Sequence, residues 1–291
     1  MATHSFRIVN VFTRDREPLS GNPLCVVEDG APFDTEAMQA LARQFNLSET
    51  TFILPSSRAE ARVRIFTPTY EMPFAGHPTL GTAHVCRSLG LGGESLRLEM
   101  QVGLVGVRAR GDRWTLTAPA PTWREVDEPR GALGEALGLG PGDIGERPLW
   151  VKAGKEQLIV PLTSIEAVRR VNPVPAALQK IQSEDGAGMA YVFAMNGSGA
   201  ALARFFFPQG PAVLEDPATG SATANFGGWC LAMQRTLPLE LQISQGEFVG
   251  RPSTLFLQVN ADREIFVGGD VLEIGRGTFS LSRPDLRPAR D

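Results

Sequence analysis

The chain has 291 residues, with 28 Lys and Arg against 32 Asp and Glu, for a formal net charge of −4. That balance, with no long block of one sign, excludes the basic surface that nucleic-acid binding needs. Hydrophobic residues make up 43% and charged residues 21%, ordinary values for a globular protein of about two domains. Met1–Asn10 lacks the apolar run of a secretory signal, and no stretch reaches the roughly 18 apolar residues of a membrane span. A cytoplasmic protein without membrane contact is the expectation. Cys25, Cys86 and Cys230 are odd in number and far apart, so neither a disulfide framework nor a zinc site is expected. The only histidines are His4, His77 and His84, and His77 and His84 lack the i, i+4 spacing of a helical metal pair. No metal is expected, although carboxylates alone can bind magnesium.

Strand-like runs open the chain at Phe6–Phe12 and Leu24–Val27. Asp34 then caps a helix with Met38, Leu41, Ala42 and Phe45 on one face. Further β-like runs follow at Thr51–Leu54, Ala61–Phe66, Leu96–Glu99, Gly103–Arg108 and Trp114–Ala118. Pro119–Pro129 is proline-rich and reads as a linker. The second half repeats the mix at Gln157–Pro161, Ala190–Ala194, Ala201–Phe206, Thr254–Val259, Glu264–Gly268 and Val271–Ile274. A helical pattern between Glu166 and Gln182 is interrupted by Pro173 and Pro175. This is an α+β pattern. It has no regular βαβ alternation and neither GxGxxG nor GxxxxGK[ST], so nucleotide binding has no support.

The halves also resemble each other. Glu71-Met72-Pro73-Phe74-Ala75-Gly76-His77-Pro78-Thr79 and Glu215-Asp216-Pro217-Ala218-Thr219-Gly220-Ser221-Ala222-Thr223 share Glu, Pro, Gly and Thr at an offset of 144, from Glu71 to Glu215. Cys86 and Cys230 fall on the same offset. Two similar lobes, pseudo-two-fold related, are the expectation. Each glycine turn feeds a helix. Gly76 permits a tight or left-handed backbone, His77 sits near the N-cap, and Pro78 suits the first helical position of a helix running to Ser88. In the second copy Ser221 reads as the N-cap of a helix from Ala222 to Met233. Helix starts carry unpaired N–H groups and partial positive charge, so a pair of them suits a small anionic substrate or a developing enolate. Either turn alone also reads as an ordinary capped helix.

Glu49 follows the first helix and opens an apolar, β-branched run. Burial there would raise its pKa toward that of a general acid or base, whereas a solvated Glu at a strand start is the plainer reading. Asp216 either initiates an Asx-Pro turn or shares a proton with His77. His77 itself also reads as a helix cap. Glu71 and Glu215 are expected to brace the turns. Cys86 and Cys230 lie more than two helical turns past His77 and Ser221, so they read as core residues and not as racemase thiols.

These segments, together with Gly21-Asn22-Pro23-Leu24-Cys25-Val26-Val27, Leu47-Ser48-Glu49-Thr50, Gln245-Gly246 and Gly250-Arg251-Pro252-Ser253, resemble the PhzF-like family of phenazine-biosynthesis isomerases. The resemblance runs over nearly the whole chain in order. It implies the diaminopimelate-epimerase-like fold: two lobes, each a β-sheet wrapped around a central helix, with the active site in the cleft between them. Residues 1–122, with 277–291 returning, would form the N-terminal lobe and residues 123–276 the C-terminal lobe. It implies a homodimer and a cofactor-free reaction, the isomerisation of trans-2,3-dihydro-3-hydroxyanthranilate or a like carboxylate. Glu49 matches the family's catalytic Glu, and His77, Asp216 and Ser221 match its other site residues. The expectation is therefore a proton shift by Glu49, tuned by His77 and Asp216, on a small anionic metabolite held by Gly76, Gly220, Ser221 and Ala222. An epimerase or racemase acting on an amino or hydroxy acid, and a non-catalytic metabolite-binding protein, remain the alternatives.

Overall fold

The computed structural model describes residues 2–186 and 188–281. The expected return of the final segment to the first lobe therefore falls outside the described residues from 282 onward. Contacts divide the chain into two compact units. One holds the described residues up to Leu116 together with those from Gly268, and the other holds Thr117–Val267. The fold is a mixed, sheet-rich α+β fold.

The first unit contains β1 (Ala2–Val11), β2 (Asn22–Val27), α1 (Thr35–Phe45), β3 (Glu49–Leu54), β4 (Ala61–Phe66), β5 (Glu71–Met72), α2 (Gly76–Ser88), β6 (Ser95–Met100), β7 (Gly103–Arg110) and β8 (Arg113–Thr117). The second contains β9 (Thr122–Glu125), α3 (Arg130–Leu137), β10 (Leu149–Lys152), β11 (Glu156–Pro161), α4 (Ile165–Arg170), α5 (Pro175–Leu178), β12 (Ala190–Met195), β13 (Ala200–Gln209), β14 (Ala212–Asp216), α6 (Gly220–Ala232), β15 (Leu239–Gln245) and β16 (Ser253–Val259). The last strand, β17 (Ile265–Leu281), is continuous where the sequence suggests two. Gly268, Gly269 and Asp270 interrupt the apolar pattern but not the pairing. The proline-rich stretch is not a bare linker, because Thr122–Glu125 pairs with β10.

One order of pairings occurs twice. In the first unit β1 and β2 are antiparallel, β2 and β3 parallel across α1, and β3 and β4 antiparallel. Strand β4 then pairs antiparallel with β5 and parallel with β6, which is antiparallel to β7. The second unit repeats this with β10, β11, β12, β13, β14, β15 and β16, its parallel crossover running through α4 and α5. In the first unit β8 pairs with β7 and β17, and β17 with β1, so among the described residues these strands form a closed ring of pairings.

Local chemistry explains the helices. Asp34 caps α1, its Oδ1 accepting from Ala37 N at 2.9 Å, and Asn46 ends the helix in the left-handed region. Met38, Leu41 and Ala42 pack with Phe33, Phe52 and Phe66. Helix α2 packs on β1, β2, β3, β4 and β6 and buries polar residues. Thr79 and Thr82 donate their hydroxyls to the carbonyls of Ala75 and Pro78, both at 2.7 Å. In α6, which packs on β9, β10, β11 and β16, Ser221 is the one residue not buried.

The hairpin before each of these helices is braced in the same way. Arg64 on β4 grips Glu71 through two bonds of 2.7 and 2.6 Å and lies over Phe66. Arg204 on β13 grips Glu215 at 3.1 and 2.7 Å and lies over Phe206. The side chains of the second pair are only 9% and 8% exposed, against 13% and 18% in the first. Removing one partner of so buried a pair strands a desolvated charge. Glu215→Leu is therefore expected to lower unfolding free energy by about 3 kcal/mol in urea titration, and Glu71→Leu by clearly less.

Candidate active site

In the first unit, Glu49 is the first residue of β3 and lies opposite Leu24 of β2 in parallel register. Its side chain is 15% exposed, and its Oε2 is 3.2 Å from His77 Nδ1. His77 is buried at the second position of α2. The N-cap of α2 is Ala75, not His77, and Pro78 is the third helical residue. Proline fits there because the amides of the first turn have no intrahelical acceptor. Gly76 is helical, with no left-handed backbone. Burial pushes the His77 imidazole down to about 4, against a smaller upward pull from the Pro23 carbonyl. The ring is therefore neutral at pH 7, and its contact with Glu49 is one between a carboxyl group and a neutral imidazole. Buried Asn22 accepts from Ser48 Oγ at 3.3 Å, tying the start of β2 to the residue before Glu49.

In the second unit, Asp216 ends β14 and α6 begins at Gly220. The N-cap is Thr219, so Ser221 and Ala222 are the second and third helical residues, and Gly220 too is helical with no left-handed backbone. Thr219 Oγ1 donates to Asp216 Oδ2 at 2.6 Å. The fully buried Gln245 donates through Nε2 to the Asp216 carbonyl at 2.9 Å and to Thr219 Oγ1 at 3.0 Å, and its Oε1 accepts from Thr219 N at 3.3 Å. The next residue, Gly246, has φ +80, and a Cβ there would stand 2.4 Å from the Pro217 carbonyl oxygen and 2.2 Å from that of Arg251. Only glycine lets that turn lie against the Asp216-Pro217 corner.

Ser221 is held from the other side. Gln157 Nε2 donates to Ser221 Oγ at 3.1 Å, and Gln157 Oε1 accepts from Asn225 Nδ2 at 2.8 Å. Asn225 also accepts from Ala153 N at 2.6 Å and donates to the Lys155 carbonyl at 2.9 Å. Both amides are buried and satisfied, the condition under which a polar network rigidifies a core.

Glu49 and His77 are thus brought together in one unit, and Asp216, Gly220, Ser221 and Ala222 in the other, where Ala222 is fully buried and offers only its amide. Reading the sequence missed Asn22, Gln157, Thr219, Asn225 and Gln245. Gln157 and Asn225 did leave a signal, each a lone amide in an apolar run. All three cysteines are buried, and burial pushes the Cys86 and Cys230 thiols up to about 12. Neither is poised as a thiolate. Among the described residues, no group of three or more His, Cys, Asp and Glu is placed to hold a metal ion. No described helix is long and apolar enough to cross a membrane.

A family model matches most of the chain. The model described as "Phenazine biosynthesis-like protein" matches residues 9–271, and the chain belongs to this family. An uncharacterized isomerase of Pasteurella multocida is 36% identical, the match covering 100% of this chain and 99% of that one. The trans-2,3-dihydro-3-hydroxyanthranilate isomerase of Pseudomonas aeruginosa is 35% identical over 90% of this chain and 92% of its own. A phenazine biosynthesis protein of the PhzF family from Bacillus anthracis shares the fold with a TM-score of 0.85 at 23% identity, covering 97% of this chain and 100% of that one. Both of these curated relatives are isomerases by name, and the chain is a member of that isomerase family.

The buried imidazole carries a stability consequence. Between about pH 6.5 and about 4 the unfolded chain binds a proton at His77 that the folded chain does not. Stability from this residue is therefore present above pH 6.5 and is lost as pH falls toward 4. The loss totals roughly 3 kcal/mol. Subtracting the urea-derived stability of His77→Gln from that of the wild type, pH by pH, should expose this slope; a flat difference would contradict a neutral His77.

Proposed function

We propose that the protein is a cofactor-free isomerase that shifts a proton on a small carboxylate-bearing substrate resembling trans-2,3-dihydro-3-hydroxyanthranilate, with Glu49 as general acid and base. The reading rests on one observation above all, the shielded Glu49 carboxyl 3.2 Å from a neutral imidazole. A carboxyl so placed can take a proton from an activated carbon and return it elsewhere on the same conjugated system. His77, uncharged, orients the carboxyl without locking it into an ion pair. In the first unit the first-turn amide of Gly76 is a donor for the substrate's carboxylate or the enolic intermediate; in the second, the amides of Gly220, Ser221 and Ala222 offer the same chemistry to an anion, with Asp216 beside them able to tune protonation. The diaminopimelate-epimerase-like arrangement of two pseudo-symmetric lobes, each a sheet around a helix, is part of this proposal and draws on the repeated pairing order.

The two copies differ in a way that favours a single base. Thr50 faces Phe66, and Phe66 faces Glu71; in the second copy Ala190 faces Phe206, and Phe206 faces Glu215. The equivalent of Glu49 is therefore Met189. The equivalent of Asp216 is Met72. A racemase with matched bases on the two copies would need an acid at 189, and none is there. One carboxyl that takes a proton from one carbon, exchanges it with solvent and delivers a proton to another carbon suffices for an isomerisation.

Glu49→Gln should keep substrate affinity and lose turnover by at least about a hundredfold. Full activity in that variant, assayed on trans-2,3-dihydro-3-hydroxyanthranilate, would reject the role. In heavy water, NMR should find solvent deuterium at the carbon that gains the proton together with a moved double bond. Deuterium at one stereocentre with the bonds unmoved would mean epimerisation instead.

A further inference from the structure

We propose that Gln245 is a positioning residue that, through Thr219, keeps a hydroxyl donor on Asp216 Oδ2 and so holds that carboxyl toward its ionised form. This deepens the function proposed above and rests on its use of Asp216. The argument is one of hydrogen-bond polarity, followed from groups whose polarity cannot change. A backbone N–H can only donate, so the atom of Gln245 facing Thr219 N is its carbonyl oxygen Oε1. A backbone carbonyl can only accept, so the atom facing the Asp216 carbonyl is Nε2. These two contacts fix the amide orientation from both ends. Nε2 is then the group that meets Thr219 Oγ1, and it can only donate there. The Thr219 hydroxyl has one hydrogen, and its contact with Nε2 uses the oxygen as acceptor. That hydrogen goes to Asp216 Oδ2, at 2.6 Å. Reversing this last bond would leave a hydroxyl hydrogen without its acceptor in a site where Thr219 is only 9% exposed, at a cost that buried polar groups rarely bear.

Two functional results follow. The ionised form of Asp216 keeps a hydroxyl donor on one oxygen, which favours the carboxylate over the acid. The same amide serves the start of α6: Gln245 Oε1 receives the N–H of the N-cap residue, while that residue's own side chain makes no cap bond to the helix. Gly246 then turns the chain against Pro217, so the position of Gln245 is set by backbone packing on the corner it serves. The position of the acid and the geometry of the helix start are thereby coupled through one side chain.

The test is the titration of the Asp216 carboxyl, followed by carbon NMR on the full-length protein, which needs no substrate. Thr219→Val should move its midpoint up by about one pH unit, and Thr219→Ser should restore it. Gln245→Met should move it in the same direction, and adding Gln245→Met to Thr219→Val should produce no further shift. Gln245→Glu, which keeps the length and offers Thr219 an acceptor in place of a donor, should draw the hydroxyl away and also raise the midpoint. It stands in if the Met variant fails to fold. The acidic limb of the pH–rate profile should move with the midpoint while KM changes little. An unmoved midpoint in Thr219→Val, or additive shifts in the double variant, would overturn the relay. Asp216→Asn separates the two readings: wild-type turnover in that variant would remove Asp216 from the reaction without touching the titration result.

Discussion

The site depends first on where two hairpins end. Each of the helices carrying site residues begins a few residues after an arginine, half-buried in one copy and buried in the other, clamps a glutamate on the neighbouring strand, Arg64 with Glu71 and Arg204 with Glu215. A bidentate guanidinium–carboxylate pair fixes direction as well as distance. The aromatic ring beneath each guanidinium, Phe66 or Phe206, removes water from one face of the pair. The strand end is therefore held rigidly, and the turn that follows delivers Gly76 and His77, or Gly220 and Ser221, to a defined place. Hydrophobic packing of α2 and α6 would by itself tolerate small slides along the helix axis. The clamp and the buried amides of Gln157, Asn225 and Gln245 do not.

Much of this was legible in the sequence because it was written twice. The helix pair and the clamped glutamates sit at a constant offset, and the segments around them carry glycine, proline and threonine at matching places. Alternation and apolar runs gave most strands, and Asp34 gave the start of α1. What failed was the fine placement of caps. Serine and histidine beside a glycine look like N-cap residues by composition, yet the N-caps lie two residues earlier, at Ala75 and Thr219. Neither N-cap side chain bonds to its helix. For Thr219 the reason is partly local and partly tertiary: its hydroxyl is committed to Asp216, three residues back, and its N–H to Gln245, a residue 26 positions away. No local rule can see such a partner. The strand at Thr122–Glu125 was hidden for a related reason, since prolines flank a run short enough to pass for linker but long enough to pair with β10.

The two copies share a scaffold and have diverged in their ionisable groups. Glu49 has Met189 as its counterpart, Asp216 has Met72, and His77 has Ser221. Each carboxyl thus has an apolar counterpart, while His77, itself neutral at pH 7, has a hydroxyl as its own. Duplication supplies the two helix starts, and divergence distributes the ionisable side chains unequally between the copies.

Burial decides what His77 can contribute. A protonated imidazole 3.2 Å from Glu49 would pin the carboxylate as an ion pair and make it a poor base, because giving up its negative charge would cost the attraction. Desolvation removes that outcome by holding the ring neutral. The carboxyl then faces a dipole in place of a charge. For the proton shift proposed above, a base that is not pinned in an ion pair is the better one, and the apolar residues around α2, by keeping His77 uncharged, supply that condition.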